Sequence, residues 1–147
     1  KSICLVCTGH LQDYRNKNHI DEILNFIKIN KLEANIRLLG LVDYEDVFGL
    51  IKFSTAVINP SLFEGWSSTV EECKSVEKAM ILSDLNVHKE QYPLSTFFQR
   101  NDSQSLKNIL KQYVISKKNF KIESLELRTQ LYANKYVDIV KEVVNAE

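Results

Sequence analysis

The chain has 147 residues, enough for one ordinary domain with its own core. Its 19 basic and 19 acidic residues cancel, so no net field draws it to nucleic acid or to a membrane surface. Hydrophobic residues make up 44% and charged ones 26%, the balance of a globular protein. No apolar run nears the ~18 residues of a membrane span, and no basic-then-apolar leader opens the sequence.

Strand and helix signals alternate along the chain. Ile3 to Cys7 is a continuous apolar run ending at Thr8-Gly9, which reads as a buried strand and a turn. Ile20, Ile23, Leu24 and Ile27 form a helical stripe, with Asp21 and Glu22 in its first turn. Ile36 to Leu39 is the next strand, closed by Gly40. Asp43 is placed to cap a helix carrying Val47, Leu50 and Ile51, with Asp46 three positions on. Thr55 to Ile58 is a third strand. A helix follows with Val70 and Cys73 facing inward and Val76 close to that face. Met80-Ile81-Leu82 and Thr96 to Phe98 are further strands. Asp102 then caps a helix with Leu106, Ile109, Leu110, Tyr113 and Val114 on one side. From about Glu123 to Val144, Leu127, Leu131, Tyr132, Tyr136, Ile139, Val140 and Val143 recur at helical spacing.

No repeat, linker or low-complexity tract interrupts this series, so residues 1–147 read as a single domain. A strand-like run begins almost at Lys1, with no initiator before it, and this reads as a domain excised from a longer protein. Alternating elements imply a parallel sheet with helices on both faces, a Rossmann-like α/β fold. In such sheets a ligand sits beyond the carboxyl ends of the strands. Gly9, Gly40 and the stretch from Asn59 to Ser68 all follow strands, so all three are expected on that edge, lining one cleft.

Three cysteines, Cys4, Cys7 and Cys73, make no disulfide framework. Cys4 and Cys7 are three apart in a strand-like run and would point to opposite faces. They read as small buried hydrophobes rather than a metal or redox pair. Reduced thiols fit a cytoplasmic location.

The stretch Asn59-Pro60-Ser61-Leu62-Phe63-Glu64-Gly65-Trp66-Ser67-Ser68-Thr69-Val70-Glu71-Glu72 carries the most chemistry. It joins a strand to a helix through a turn, and Glu64 and Glu72 stand eight positions apart. The helix start offers unpaired N–H groups and positive dipole to a phosphate. The carboxylates accept from sugar hydroxyls. The plainer reading is that Glu71 and Glu72 are first-turn acids and that Ser68-Thr69-Val70-Glu71 is a capping box. Trp66 reads as a core plug or as a pocket wall, with its backbone the more useful part. Ser61 beside Glu64 makes no triad, for want of a positioned base. His10, His19 and His88 read as surface or capping residues without ligand neighbours.

Pro60-Ser61-Leu62-Phe63-Glu64-Gly65-Trp66 followed by Glu72 resembles the signature of the retaining glycosyltransferases of family four, whose fold is the two-domain GT-B type. Leu39-Gly40-Leu41-Val42 resembles that family's turn before the second helix. Ile81-Leu82-Ser83-Asp84 with Val87-His88-Lys89-Glu90 resembles its strand and loop after the motif helix. Phe97-Phe98 before Asn101-Asp102 resembles the close of its domain. The likeness spans residues 3 to 116 and implies the C-terminal, donor-binding half of a GT-B enzyme, without the N-terminal acceptor domain.

The resemblance also implies roles. Glu72 holds the ribose. Glu64 and the amides around Gly65, Trp66 and Ser67, with Ser68 and Thr69, face the donor sugar and diphosphate, and Glu64 is the catalytic-site acid. Gly40, Leu41 and Val42 lie against the base. Two departures stand out: Ser67 replaces a usual glycine, and Glu77-Lys78-Ala79 replaces Gly-Lys-Pro. Loss of that glycine should cost about 1 kcal/mol where the backbone is left-handed. The family's diphosphate-clamping basic pair would lie upstream of this chain, so 147 residues alone should turn over negligibly.

The expected activity is retaining transfer of a sugar from a UDP- or GDP-sugar to a sugar hydroxyl in surface-polysaccharide synthesis, such as O-antigen or capsule. It needs no cofactor and no metal, since no Asp-x-Asp motif is present to hold one. The partners are the nucleotide sugar and a glycan or lipid-linked glycan reached through the missing domain, with no nucleic acid, and the chain itself is expected to be monomeric. Six basic residues against one acid between Arg100 and Lys121 read either as a solvated helix face or as a peripheral contact with an anionic membrane. The rivals are half of a sugar-nucleotide epimerase and a non-catalytic nucleotide-binding regulatory domain.

Overall fold

The computed structural model describes residues 3–12, 14, 16–116, 122 and 124–145, without the side chains of 114–116. The element order is β1 (Leu5–Thr8), α1 (His19–Ile29), β2 (Ile36–Gly40), α2 (Tyr44–Phe53), β3 (Val57–Asn59), α3 (Ser68–Ser75), β4 (Met80–Ser83), α4 (Asn86–Gln91), β5 (Thr96–Phe98), α5 (Ser103–Ser116) and α6 (Leu125–Val144). This is the expected α/β alternation, and every described strand pairing is parallel. The strands form two sheets, β1-β2 and β3-β4-β5. The chain correspondingly divides into two compact units, Lys1–Leu50 and Ile51–Glu147, with the boundary inside α2.

In the first unit β1 pairs with β2 in the register Leu5 to Ile36 and Cys7 to Leu38. Those four side chains share one face, because alternate strand residues point the same way. With Ile20, Ile23, Phe26 and Ile27 of α1 they line a cavity of about 560 Å³. The helix buries Ile27, while Leu24 stays exposed. This corrects the expectation of a buried first strand. Leu5 and Val6 are both exposed, because a cavity separates Leu5 from α1 and Val6 lies on the opposite face. Cys4 precedes the strand and is exposed, and Cys7 is half-buried, so the reading of both as buried hydrophobes does not hold.

The second unit is built around β4, whose four residues Met80 to Ser83 are all buried. A strand flanked on both edges and covered on both faces reads as a continuous apolar run, and Met-Ile-Leu supplies one. Val70 and Cys73 of α3 are fully buried, as their spacing requires, and Tyr92 and Phe98 complete the core. Asp102 caps α5 as expected, its Oδ1 accepting from the Gln104 N–H at 2.8 Å. Val114, Lys117, Lys118, Lys121 and Glu123 lie outside the described side chains, so the expected basic run is seen only at the exposed Arg100, Lys107 and Lys111. In α6 the predicted stripe forms on a 20-residue helix with no buried residue.

The helix α3 ends where the sequence departs from its family-like pattern. Glu77 adopts φ +52, the left-handed conformation that favours glycine. The amide of Lys78 returns to the Cys73 carbonyl at 2.8 Å and closes the helix. Two side chains offset the strain. Lys78 Nζ donates to the carbonyls of Lys52 and Ser54 at 2.8 and 2.7 Å, a cation at the end of α2. Glu77 Oε1 accepts from the Leu125 N–H at 2.7 Å and caps α6.

Candidate functional site

The stretch singled out in the sequence forms the crossover from β3 to α3 in the second unit. Asn59 ends β3 and is buried. Its Oδ1 accepts from the Ser61 N–H at 3.1 Å, an Asx-type turn that starts the loop through Pro60. Its Nδ2 donates to Ser67 Oγ at 3.2 Å and, more weakly, to Glu64 Oε1 at 3.4 Å. The hydroxyl of Ser61 donates to the same Glu64 oxygen at 2.7 Å. Glu64 is therefore half-buried and held by two donors, while one carboxylate oxygen has no such tether. A solvated loop acid would need neither.

Helix α3 starts at Ser68, with Ser67 in the N-cap position at φ −83 and ψ 114. The Glu71 N–H returns to the Ser67 carbonyl at 3.3 Å. This displaces the expected capping box by one residue: Ser68 is already helical, so its hydroxyl cannot cap Glu71. Ser67, expected beside the ligand, also makes bonds within the protein. Ser67 is buried, its N–H donates to Gln91 Oε1 at 3.0 Å, and its hydroxyl accepts from Asn59. Its N–H is thus committed inside the protein, and its hydroxyl oxygen is engaged as an acceptor.

Beyond Ser67 the helix turns two kinds of face. Val70, Cys73 and Lys74 are buried, whereas Ser68 is exposed and Thr69 and Glu72 are half-exposed. Ser68 and Thr69 stand four and three positions before Glu72, so the three are surface neighbours. The amides at the start of α3 lack intrahelical acceptors by helix geometry, and they open beside these residues. Gly65 and Trp66 precede them and are exposed; Trp66 keeps 58% of its surface, so it is no core plug. A Cβ on Gly65 would meet nothing within 4 Å.

A further element supports this crossover from below. The segment with Val87-His88-Lys89-Glu90, read as loop, forms the helix α4 (Asn86–Gln91). Gln91 is buried and embraces the Ser67 peptide. Oε1 accepts from the Ser67 N–H, and Nε2 donates to the Ser67 carbonyl at 3.1 Å and to Glu71 Oε1 at 3.3 Å. Glu71 also pairs with the mostly buried Lys74 at 3.2 Å. So Glu71 is a structural anchor rather than a dipole ornament.

His88 is fully buried, which corrects its reading as a surface or capping residue. Its Nδ1 lies 3.0 Å from the Ser83 carbonyl and 3.2 Å from Ser83 Oγ. The Ser83 hydroxyl donates to the Ser61 carbonyl at 2.6 Å. With that proton committed, both Ser83 oxygens act as acceptors, so Nδ1 carries a hydrogen. Nε2 is buried without a partner among the described residues. Asn59, Gln91 and His88 are what the reading of the sequence missed. The signal for Asn59 was its place before Pro60 at a strand end; His88 and Gln91 carried none beyond their spacing of three.

In the first unit, Gly9 and Gly40 both take positive φ, +122 and +72. The Gly9 N–H donates to the Gly40 carbonyl at 2.9 Å, so these two expected cleft residues meet. Leu41 is exposed and Val42 half-buried. No helix among the described residues is long and apolar enough to cross a membrane.

No family model matches the chain, and no curated protein matches it by sequence. Among solved structures it is similar to Anabaena Alr3699/HepE in complex with UDP, with a TM-score of 0.68 at 17% identity over 79% of this chain. It is also similar to the sucrose-phosphate synthase tll1590 of Thermosynechococcus elongatus, with a TM-score of 0.63 at 15% identity over 75% of this chain. The chain spans only 32% and 29% of the lengths of those two proteins. At such identities the likeness establishes a shared α/β fold.

Proposed function

We propose that the chain is the donor-binding half of a GT-B glycosyltransferase, taking a nucleotide diphosphate sugar for retaining transfer to a sugar hydroxyl. The observation that carries this reading is the β3-to-α3 crossover. An acid fixed by Ser61 and Asn59 precedes an open helix start, and a second, half-exposed acid follows one turn into the helix. A UDP-bound protein of the same fold supports the ligand class.

In this reading Glu72 accepts from the ribose hydroxyls. The amides of Gly65, Trp66, Ser68 and Thr69 meet the diphosphate, where fixed donors are worth most against charge leaving with it. Glu64 orients the donor sugar through its untethered oxygen. The acceptor is a glycan or lipid-linked glycan of a surface polysaccharide, read by a further domain, and the enzyme works in the cytoplasm without a metal.

A titration of the chain with UDP, GDP and their sugars tests this reading, with Glu72→Ala as the control. Loss of about 2 kcal/mol of nucleotide affinity in the variant is expected for charge-assisted ribose bonds. An unchanged affinity would leave a vestigial or regulatory cleft instead. Affinity should also survive EDTA. Interconversion of donor epimers by the full-length protein without acceptor would select an epimerase.

A further inference from the structure

Two buried polar side chains of α4 grip the two ends of the loop that carries Glu64. His88 acts through Ser83, whose hydroxyl donates to the Ser61 carbonyl. Gln91 holds the Ser67 peptide directly by both its N–H and its carbonyl. The two are three positions apart, so they lie on one face of α4, and both are more than nine-tenths buried. Burying an imidazole and a carboxamide costs free energy unless their bonds do something that apolar residues of equal volume cannot. An apolar pair would fill this space. It could not fix the orientation of a peptide unit.

What the pair fixes is the span from Ser61 to Ser67. Ser61 supplies the 2.7 Å bond to Glu64, and Ser67 accepts from Asn59, which supplies the other. Both tethers of Glu64 therefore run back to α4. Ser67 is also the residue that sets where α3 begins. We infer that His88 and Gln91 are positioning residues of the nucleotide site, and that α4 is a brace that holds the 61–67 loop in its ligand-ready shape. The inference rests on the function proposed above.

The test uses the chain itself with Gln91→Met and His88→Leu, each at a temperature well below its own melting point. NMR titration, which reads millimolar affinities, compares UDP with uridine and GDP with guanosine. Each pair shares base and ribose and differs only in the diphosphate. Both variants should lose about tenfold in affinity for the diphosphate and less than about twofold for the nucleoside. Equal losses for both ligands, or no loss, with wild-type binding intact, would overturn the brace and leave the proposed function standing. A wild-type chain that binds neither UDP nor GDP would overturn the function, and the brace with it. Amide exchange in the wild type needs no folded variant. The Ser67 amide should be protected before ligand is added, and those of Ser68 and Thr69 only after. A freely exchanging Ser67 amide would exclude the Gln91 clamp.

Discussion

The Gly9 amide donates to the Gly40 carbonyl at 2.9 Å, and the end of β1 is thereby tied to the end of β2. Both residues have φ values, +122 and +72, that side chains rarely adopt. Gly9→Ala and Gly40→Ala should each destabilise the protein by about 1–2 kcal/mol. The cost is in the backbone, since a Cβ at Gly40 would meet Leu11 at an ordinary 3.7 Å. Urea denaturation gives the value, and two unchanged midpoints would show that the turn relaxes freely.

Gly65 is the opposite case. It has no left-handed backbone, and its Cβ position is open. Gly65→Ala should leave stability within about 0.5 kcal/mol and still weaken nucleotide binding, because in the proposed site the added methyl would meet the diphosphate. Calorimetric titration beside a melting curve separates the two effects. Full affinity in the variant would mean that the ligand does not approach this turn.

At Glu77, strain and capping oppose each other. Glu77→Gly relieves the φ of +52 but gives up the bond to the Leu125 amide, so it should be nearly neutral. Glu77→Ala keeps the strain and loses the cap, and should be the less stable of the two by about 1 kcal/mol. Equal midpoints for Gly and Ala would argue that the left-handed turn costs nothing here.

Burial pushes the Cys73 thiol up from 9.0 to about 12, with Glu72 adding to the shift and Lys78 opposing it. The folded state thus holds this proton more tightly than the unfolded one. The contribution to stability is intact below about pH 9 and is lost as pH rises toward 12. Cys73→Ala should show a shallower alkaline fall in urea midpoint than the wild type between those values. At pH 8 iodoacetamide should modify the exposed Cys4 and spare Cys73. Rapid alkylation of Cys73 in the folded chain would contradict its burial.

Much of the fold was legible because it follows period. Ile36–Leu39, Met80–Leu82 and Thr96–Phe98 announce themselves as short apolar runs, and Val70 with Cys73 as the inner face of a helix. Where the reading failed, distance in sequence is the reason. Whether Leu5 is covered depends on how closely α1 approaches, and no local pattern encodes that gap. Helix α4 is six residues long and buries a histidine and a glutamine, so it lacks an apolar stripe. The clamp on Ser67 spans 24 positions. In the candidate site the acids and the helix start could be read from spacing, because both are properties of one contiguous strand-turn-helix. Their supports could not, because Ser83, His88 and Gln91 come from the next strand and helix.

The crossover that carries Glu64 and Glu72 is also the connection between the parallel strands β3 and β4. Parallel neighbours cannot pair until the chain between them has looped back, so residues 60–79 must close before β3 can join the central strand. The candidate site and the β3–β4 pairing therefore form together. A nucleotide held by this loop would raise the resistance of the whole Ile51–Glu147 unit to proteolysis, since an opened sheet no longer has the crossover to bind it.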